Sequence, residues 1–128
     1  MGLKLKRVFV ALTGASGSFY GLRLVEQLCL NGIEVTFTAS CSGAQVCCEE
    51  TGLDLSGDVD KAAQRLYAHL EVEAGLEMIH PDDLFCPAAS GSAAPDAMII
   101  APCSMGTLAR IACGISGNLI ERAADVML

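Results

Sequence analysis

The chain has 128 residues, 15 acidic against 8 basic side chains for a formal net charge of -7, and 52% apolar residues. That is enough chain for one domain with a real core, and too few cations for a surface that binds nucleic acid or an anionic membrane. Glycine and proline cut every apolar stretch short of a membrane-crossing length, so the sequence reads as a single cytoplasmic domain over 1–128 whose surplus apolar surface points to a homo-oligomer.

The opening "MGLKLKRVFVAL" has the basic residues and apolar run of a secretory leader, but the run is short and turns straight into "TGASG". It reads instead as a first strand, Arg7 to Thr13, apolar enough to be buried on both faces as in a parallel sheet. Beyond the glycines, Leu22, Val25, Leu28 and Cys29 recur at helical spacing while Arg23, Glu26 and Gln27 face away, and Asn31-Gly32 supplies a stop. Glu34 to Ala39 alternates Val35 and Phe37 with Thr36 and Thr38, a second strand. Ser42 to Glu50 reads as a short helix and Val59 to Leu70 as a longer one, with Ala62, Ala63, Leu66 and Leu70 on one side. Leu76 to His80 reads as a strand. Residues 81–96, "PDDLFCPAASGSAAPD", carry no periodicity and form a long loop, a length that usually serves function. Ala97 to Ala101 is a further strand, closed by Pro102. A helix from Ser104 directs Met105, Leu108, Ala112 and Ile115 inward, and Asn118 with Glu121 resembles a capping box for a final helix to Leu128. Strands alternating with helices predict an α/β fold in three layers with a mostly parallel sheet. The last helical pattern ends without a capping glycine or a following strand, as expected for part of a larger design.

Seven cysteines include no C-x-x-C pair, and neither His69 nor His80 stands at ligand spacing from one, so no metal site is expected. Reduced, mostly buried thiols are expected. Cys103 sits between a strand end and a helix start, where a thiol pKa can fall, but no histidine is placed to serve it and burial is the better reading. His69 falls on a polar helix face, and Met98, Met105 and Met127 read as core or subunit contact.

In open α/β sheets ligands bind at the carboxyl ends of the strands. Three such ends, "TGASGS", "ASCSG" and "APCSMGT", offer hydroxyls and glycines at helix starts, the equipment for an anion. The first lacks the spacing of a dinucleotide loop, and Thr38-Ala39-Ser40 replaces the carboxylate an NAD ribose needs at the second strand's end. There is no G-K-[ST] for ATP. A single terminal phosphate, as on FMN, suits this serine and threonine cradle.

"TGASGSFYGLRL", "SCSGAQVCCEET", "PAASGS" and "MIIAPCSMGTLARIACGISGNLIERAADV" closely resemble, in order, the UbiX-type flavin prenyltransferases, also called Pad or phenylacrylic acid decarboxylase-like proteins. The resemblance implies a Rossmann-like or flavodoxin-like fold, bound FMN, a dodecamer and no metal. It implies transfer of a dimethylallyl group from dimethylallyl phosphate to reduced FMN, making prenylated FMN for UbiD-type decarboxylases. Position by position, Gly14, Ala15, Ser16 and Gly17 match the loop at the flavin, and Ser40 matches the serine holding its phosphate. Ser104 and Thr107 match the turn at the flavin. Glu50 matches the active-site glutamate, expected to move a proton if a dry pocket raises its pKa. Ser90, Gly91 and Ser92 match the loop near the prenyl phosphate, and Arg122 an arginine that reaches the phosphates. Plainer roles for the last pair are a solvated Glu50 at a helix end and Arg122 paired with Asp125. Family members continue with a basic strand and an aromatic tail that add a lysine, arginines and a tyrosine. Related cysteine decarboxylases show "PASANT" where this chain has "PCSMGT"; that activity, or FMN binding without turnover, is the alternative.

Overall fold

The computed structural model describes residues 4–128, so Met1 to Leu3 of the leader-like opening lie outside it. Four strands form one sheet: β1 (Arg7–Leu12), β2 (Glu34–Ala39), β3 (Leu76–Met78) and β4 (Ala97–Ile100). Their order is β3-β2-β1-β4 and every pairing is parallel, with Val8 opposite Val35 on one side and Ala97 on the other. Five helices connect and flank them: α1 (Ser18–Leu30), α2 (Cys41–Thr51), α3 (Val59–Leu70), α4 (Met105–Ala112) and α5 (Leu119–Met127).

The alternation of side chains along β1 divides the core in two. Val8, Val10 and Leu12 pack with Val35, Phe37, Leu22, Val25 and Leu66 on the face covered by α1 and α3. Phe9 and Ala11 point the other way, onto Ala88 and Ala89 of the long loop and onto Leu119, Ile120 and Ala123 of α5. A strand buried on both sides, as expected of β1, is the centre of a three-layer α/β sandwich. Helix ends follow local chemistry. Asn31 Nδ2 donates to Gln27 O at 2.7 Å and Gly32 takes a φ of +75°, which ends α1 where the sequence puts the stop. Asp58 accepts the Lys61 amide to start α3, and Asn118 accepts that of Glu121 to start α5. Glu121 reaches back to the amide of Gly117, completing the expected capping box one residue early.

The long loop crosses the sheet from end to end. Its start is tied to α5, where Leu119 N donates to Pro81 O, and its end to β1, where Asp96 Oδ2 accepts the amides of Lys6 and Arg7, both at 2.9 Å. Two short 3-10 turns, Pro87–Ala89 and Gly91–Ala93, lie on that descent.

One expectation is corrected here. The face of α4 does not point inward: Met105 is 78% exposed, Leu108 52% and Ile115 49%, Ala112 is also exposed, and no residue of the helix is buried. The stripe is amphipathic as read, but β4 is the sheet's edge and α4 packs chiefly against α5, so among the described residues the stripe stays exposed. Met98 packs on the second core cluster and Met127 is half-buried. Leu108→Ser is therefore expected to change the unfolding free energy of the chain by less than about 0.5 kcal/mol in urea denaturation. A loss of about 2 kcal/mol or more, typical of a buried leucine, would contradict the exposed placement.

Candidate functional site

Three turns meet at the carboxyl end of β1. The β2-α2 turn is tied to it by Ser40 N, which donates to Leu12 O at 3.0 Å, and Gly43 lies so close that a Cβ there would stand 2.4 Å from the same oxygen. Gly14 faces Ser42, whose Oγ would be 2.5 Å from a Cβ at position 14. The β4-α4 turn is held by Thr13, which donates to Pro102 O and accepts the Ser104 amide. The turn from Thr13 to Gly17 is itself tight: Ala15 N donates to Thr13 O, and Gly17 has a φ of +110° that suits only glycine. Ser16, Ser40 and Ser104 thus stand on turns tied to the same strand end, with Ser16 and Ser40 lining different clefts.

Each helix start carries its own cap. Ser40 Oγ accepts the Gly43 amide at 3.0 Å, and Ser104 Oγ accepts that of Thr107 at 3.2 Å while donating to Thr107 Oγ1 at 2.9 Å. At α1 the N-cap is Gly17, which has no side chain, and a carboxylate from α2 replaces it. Glu50 accepts the Ser16 hydroxyl at 2.8 Å, the Ser18 amide at 3.0 Å and the Gly17 amide at 3.1 Å. The Ser18 amide, followed by the Ser16 hydroxyl, lowers the Glu50 pKa to about 2. The expectation of a raised pKa in a dry pocket is thereby corrected: Glu50 is exposed, solvated and anchored by donors, so it is a carboxylate at every physiological pH. Glu49 faces a different cleft, beside Ser40, Cys48 and Asp54.

Helix α2 separates two clefts, each of about 570 Å³. One runs from Ser40 past Leu55 to His80; the other joins Ser16, Gly17 and Glu50 to Phe19, Tyr20 and His69. His69, set aside in the sequence as a polar-face residue, therefore stands in the same cleft as Ser16 and Glu50. Ser18, the last residue of "TGASGS", is fully buried beside Glu50. A buried serine at a helix start is the signal that would have marked it.

The remaining candidates form a second group. Arg122 Nε donates to Ala89 O at 3.4 Å, next to the turn where the Ser90 and Ser92 hydroxyls bond each other at 2.9 Å, with Gly91 between them. Arg122 also lies 3.8 Å from Asp125, the plainer pairing read from the sequence. Hydrogen bonds join this group to α5 and the long loop, not to Ser16, Ser40 or Ser104.

The thiols also differ from expectation. Cys47 and Cys86 are buried and Cys29 half-buried, but Cys41, Cys48, Cys103 and Cys113 are exposed. Two of these flank helices that leave a face open, which spacing alone does not reveal. Partial desolvation at the turn raises the exposed Cys103 thiol above its ordinary pKa rather than lowering it. Among the described residues, no group of three His, Cys, Asp or Glu side chains is placed to hold a metal, and no helix is long and apolar enough to cross a membrane.

Comparison with known proteins bears on this geometry. The chain is 43% identical over 124 residues to flavin prenyltransferase UbiX of Pseudomonas aeruginosa, covering 96% of this chain and 59% of that protein. It is 45% identical over 119 residues to flavin prenyltransferase UbiX of Halalkalibacterium halodurans, covering 93% and 56%. Among solved structures, AnUbiX in complex with FMN and dimethylallyl pyrophosphate matches with a TM-score of 0.80 at 31% identity, over 97% of this chain and 59% of that one. A dodecameric FMN-dependent UbiX-like decarboxylase from Escherichia coli O157:H7 gives 0.78 at 31% identity, over 94% and 60%. This chain spans under 60% of the length of both curated relatives. The family model described as Flavoprotein matches residues 2–128, and with the shared α/β fold this makes the chain a member of the Flavoprotein family.

Proposed function

We propose that this chain carries the FMN-binding part of a flavin prenyltransferase, which moves a dimethylallyl group from dimethylallyl phosphate to reduced FMN and so makes prenylated FMN for UbiD-type decarboxylases. The observation that carries the reading is the meeting of three hydroxyl-bearing turns at the end of β1, beside a carboxylate already bonded to Ser16. The donor set fits a phosphate monoester: neutral hydroxyls and backbone amides at helix starts, on turns that the close approaches at Gly14 and Gly43 bring together. FMN supplies the nucleophilic ring atoms.

Ser40, Ser104 and Thr107 hold the flavin phosphate, and the backbone of Gly14, Ala15 and Gly17 lines its approach. Glu50, ionised at rest, accepts the Ser16 hydroxyl and leaves the lone pairs of Ser16 Oγ free, so that Ser16 would take up a proton at Oγ and pass its own to the carboxylate, which is then briefly protonated. Arg122, with Ser90, Gly91 and Ser92, stabilises the departing phosphate. These two groups lie apart within one chain, and the open faces of Met105, Leu108 and Ile115 favour a homo-oligomer, a dodecamer by likeness to the relatives, in the cytoplasm.

The direct test incubates the protein with reduced FMN and dimethylallyl phosphate under anaerobic conditions and weighs the flavin. The expected result is a gain of one prenyl unit. An unchanged flavin contradicts prenyl transfer, and release of carbon dioxide from a peptidyl cysteine would transfer the assignment to the decarboxylase alternative.

A further inference from the structure

Helix α4 begins at the proposed phosphate crevice, yet none of its residues is buried. Hydrophobic packing therefore does not set its direction. Polar contacts at its two ends do, among them that of the Thr13 amide, which donates to Pro102 O at 3.1 Å. At the far end Arg110 Nε lies 3.3 Å from Oε1 of Glu121, a buried carboxylate on α5. At the near end Thr13, 1% exposed, donates from Oγ1 to Pro102 O at 2.7 Å and accepts from Ser104 N at 2.8 Å. Both capacities of one hydroxyl are thus spent on the β4-α4 turn, on either side of Cys103.

We propose that Thr13 is the positioning residue for phosphate recognition, fixing the turn that presents Ser104 and Thr107. This rests on the FMN reading above and deepens it. The attraction of a helix start for an anion falls off within its first turn, so it depends on where that turn is held. A hydroxyl that is buried and bonded twice has one geometry, and it transmits the rigidity of β1 to a helix that lacks a core contact of its own. Thr13 touches neither the flavin nor its phosphate in this account; it acts through Ser104.

The test exploits riboflavin, which has the flavin ring without the phosphate. Dissociation constants for FMN and riboflavin are measured by flavin fluorescence on the wild-type chain, on Thr13→Val, which keeps the shape and loses the hydroxyl, and on Thr13→Ser, which keeps the hydroxyl. Wild type is expected to prefer FMN. Thr13→Val is expected to lower that preference about tenfold, as for a lost hydrogen bond of ordinary strength, with riboflavin affinity within about twofold. Thr13→Ser retains the preference.

Circular dichroism checks folding, and if Thr13→Val does not fold, Thr13→Ala, which leaves room for a water at Pro102 O, carries the same comparison. A Val or Ala variant that keeps the full preference for FMN overturns the proposal. So does one that weakens both flavins alike, which marks a structural role only, and so does loss of the preference in Thr13→Ser. A wild-type chain that binds both flavins equally overturns the phosphate site itself.

Discussion

Replacing Glu50 by glutamine is expected to lower the rate of prenyl transfer roughly 10²- to 10⁴-fold, the range for removing a positioned acid-base group. Glutamine keeps the size of the side chain but brings an NH2 group toward donors. Three donors converge on Glu50, the Ser16 hydroxyl and the amides of Gly17 and Ser18, and only one amide oxygen remains to accept them. The rate is measured as flavin mass gain over time. A loss below about threefold would remove Glu50 from the proton path, since it is well under the acid-base range.

The same substitution has a pH signature. The folded pKa of Glu50 is about 2, below the ordinary value of 4.5. A depressed carboxyl pKa stabilises the fold fully above the unfolded value, and the contribution fades as pH falls through the folded one. Glu50→Gln is therefore expected to melt below wild type at pH 7, with the difference shrinking between pH 4.5 and 2. Equal melting temperatures at pH 7 would show that Glu50 is not held by the α1 start.

Gly21→Ala is the second large effect. Gly21 is buried in α1, and a Cβ there would stand 2.1 Å from the carbonyl oxygen of Ala101 and 3.1 Å from its carbon. Both partners are backbone, so no rotamer change relieves the contact. The helix or the β4-α4 turn must move, and the cost is about 3 kcal/mol, the upper part of the range for overpacking a core. Ala101 directly precedes the turn that carries Ser104, so FMN affinity is expected to fall as well. Urea denaturation checks the first effect and a flavin titration the second. A loss under about 0.5 kcal/mol, the level of an indifferent surface change, would mean that α1 and β4 do not approach as described.

How much of this was legible depended on whether the cause was local. β2 and α3 fall on Glu34–Ala39 and Val59–Leu70, as the alternation of Val35 and Phe37 and the spacing of Ala62, Leu66 and Leu70 require. The start of α1 was less visible. The helix begins at Ser18, before its first periodic residue Leu22, because its cap is the Glu50 carboxylate, 33 positions from Gly17. The same distant bond reverses the expected direction of the Glu50 pKa. Spacing identified the apolar stripe of α4 but not what lies opposite it, since an edge strand and an internal one have the same pattern when read singly. Thr13 and His69 were passed over for the same reason. A buried threonine at a strand end is unremarkable until its hydroxyl is seen spanning two turns, and a histidine on a polar face is unremarkable until a cleft joins it to Glu50.

The most direct measurement is a titration of the isotope-labelled chain with FMN, following backbone amide shifts by NMR. The account predicts that the largest shifts fall together on Thr13 to Ser18, Ser40 to Gly43 and Ser104 to Thr107. Shifts confined to the opposite end of the sheet around Lys6 and Asp96, or no shifts at saturating FMN, would contradict it.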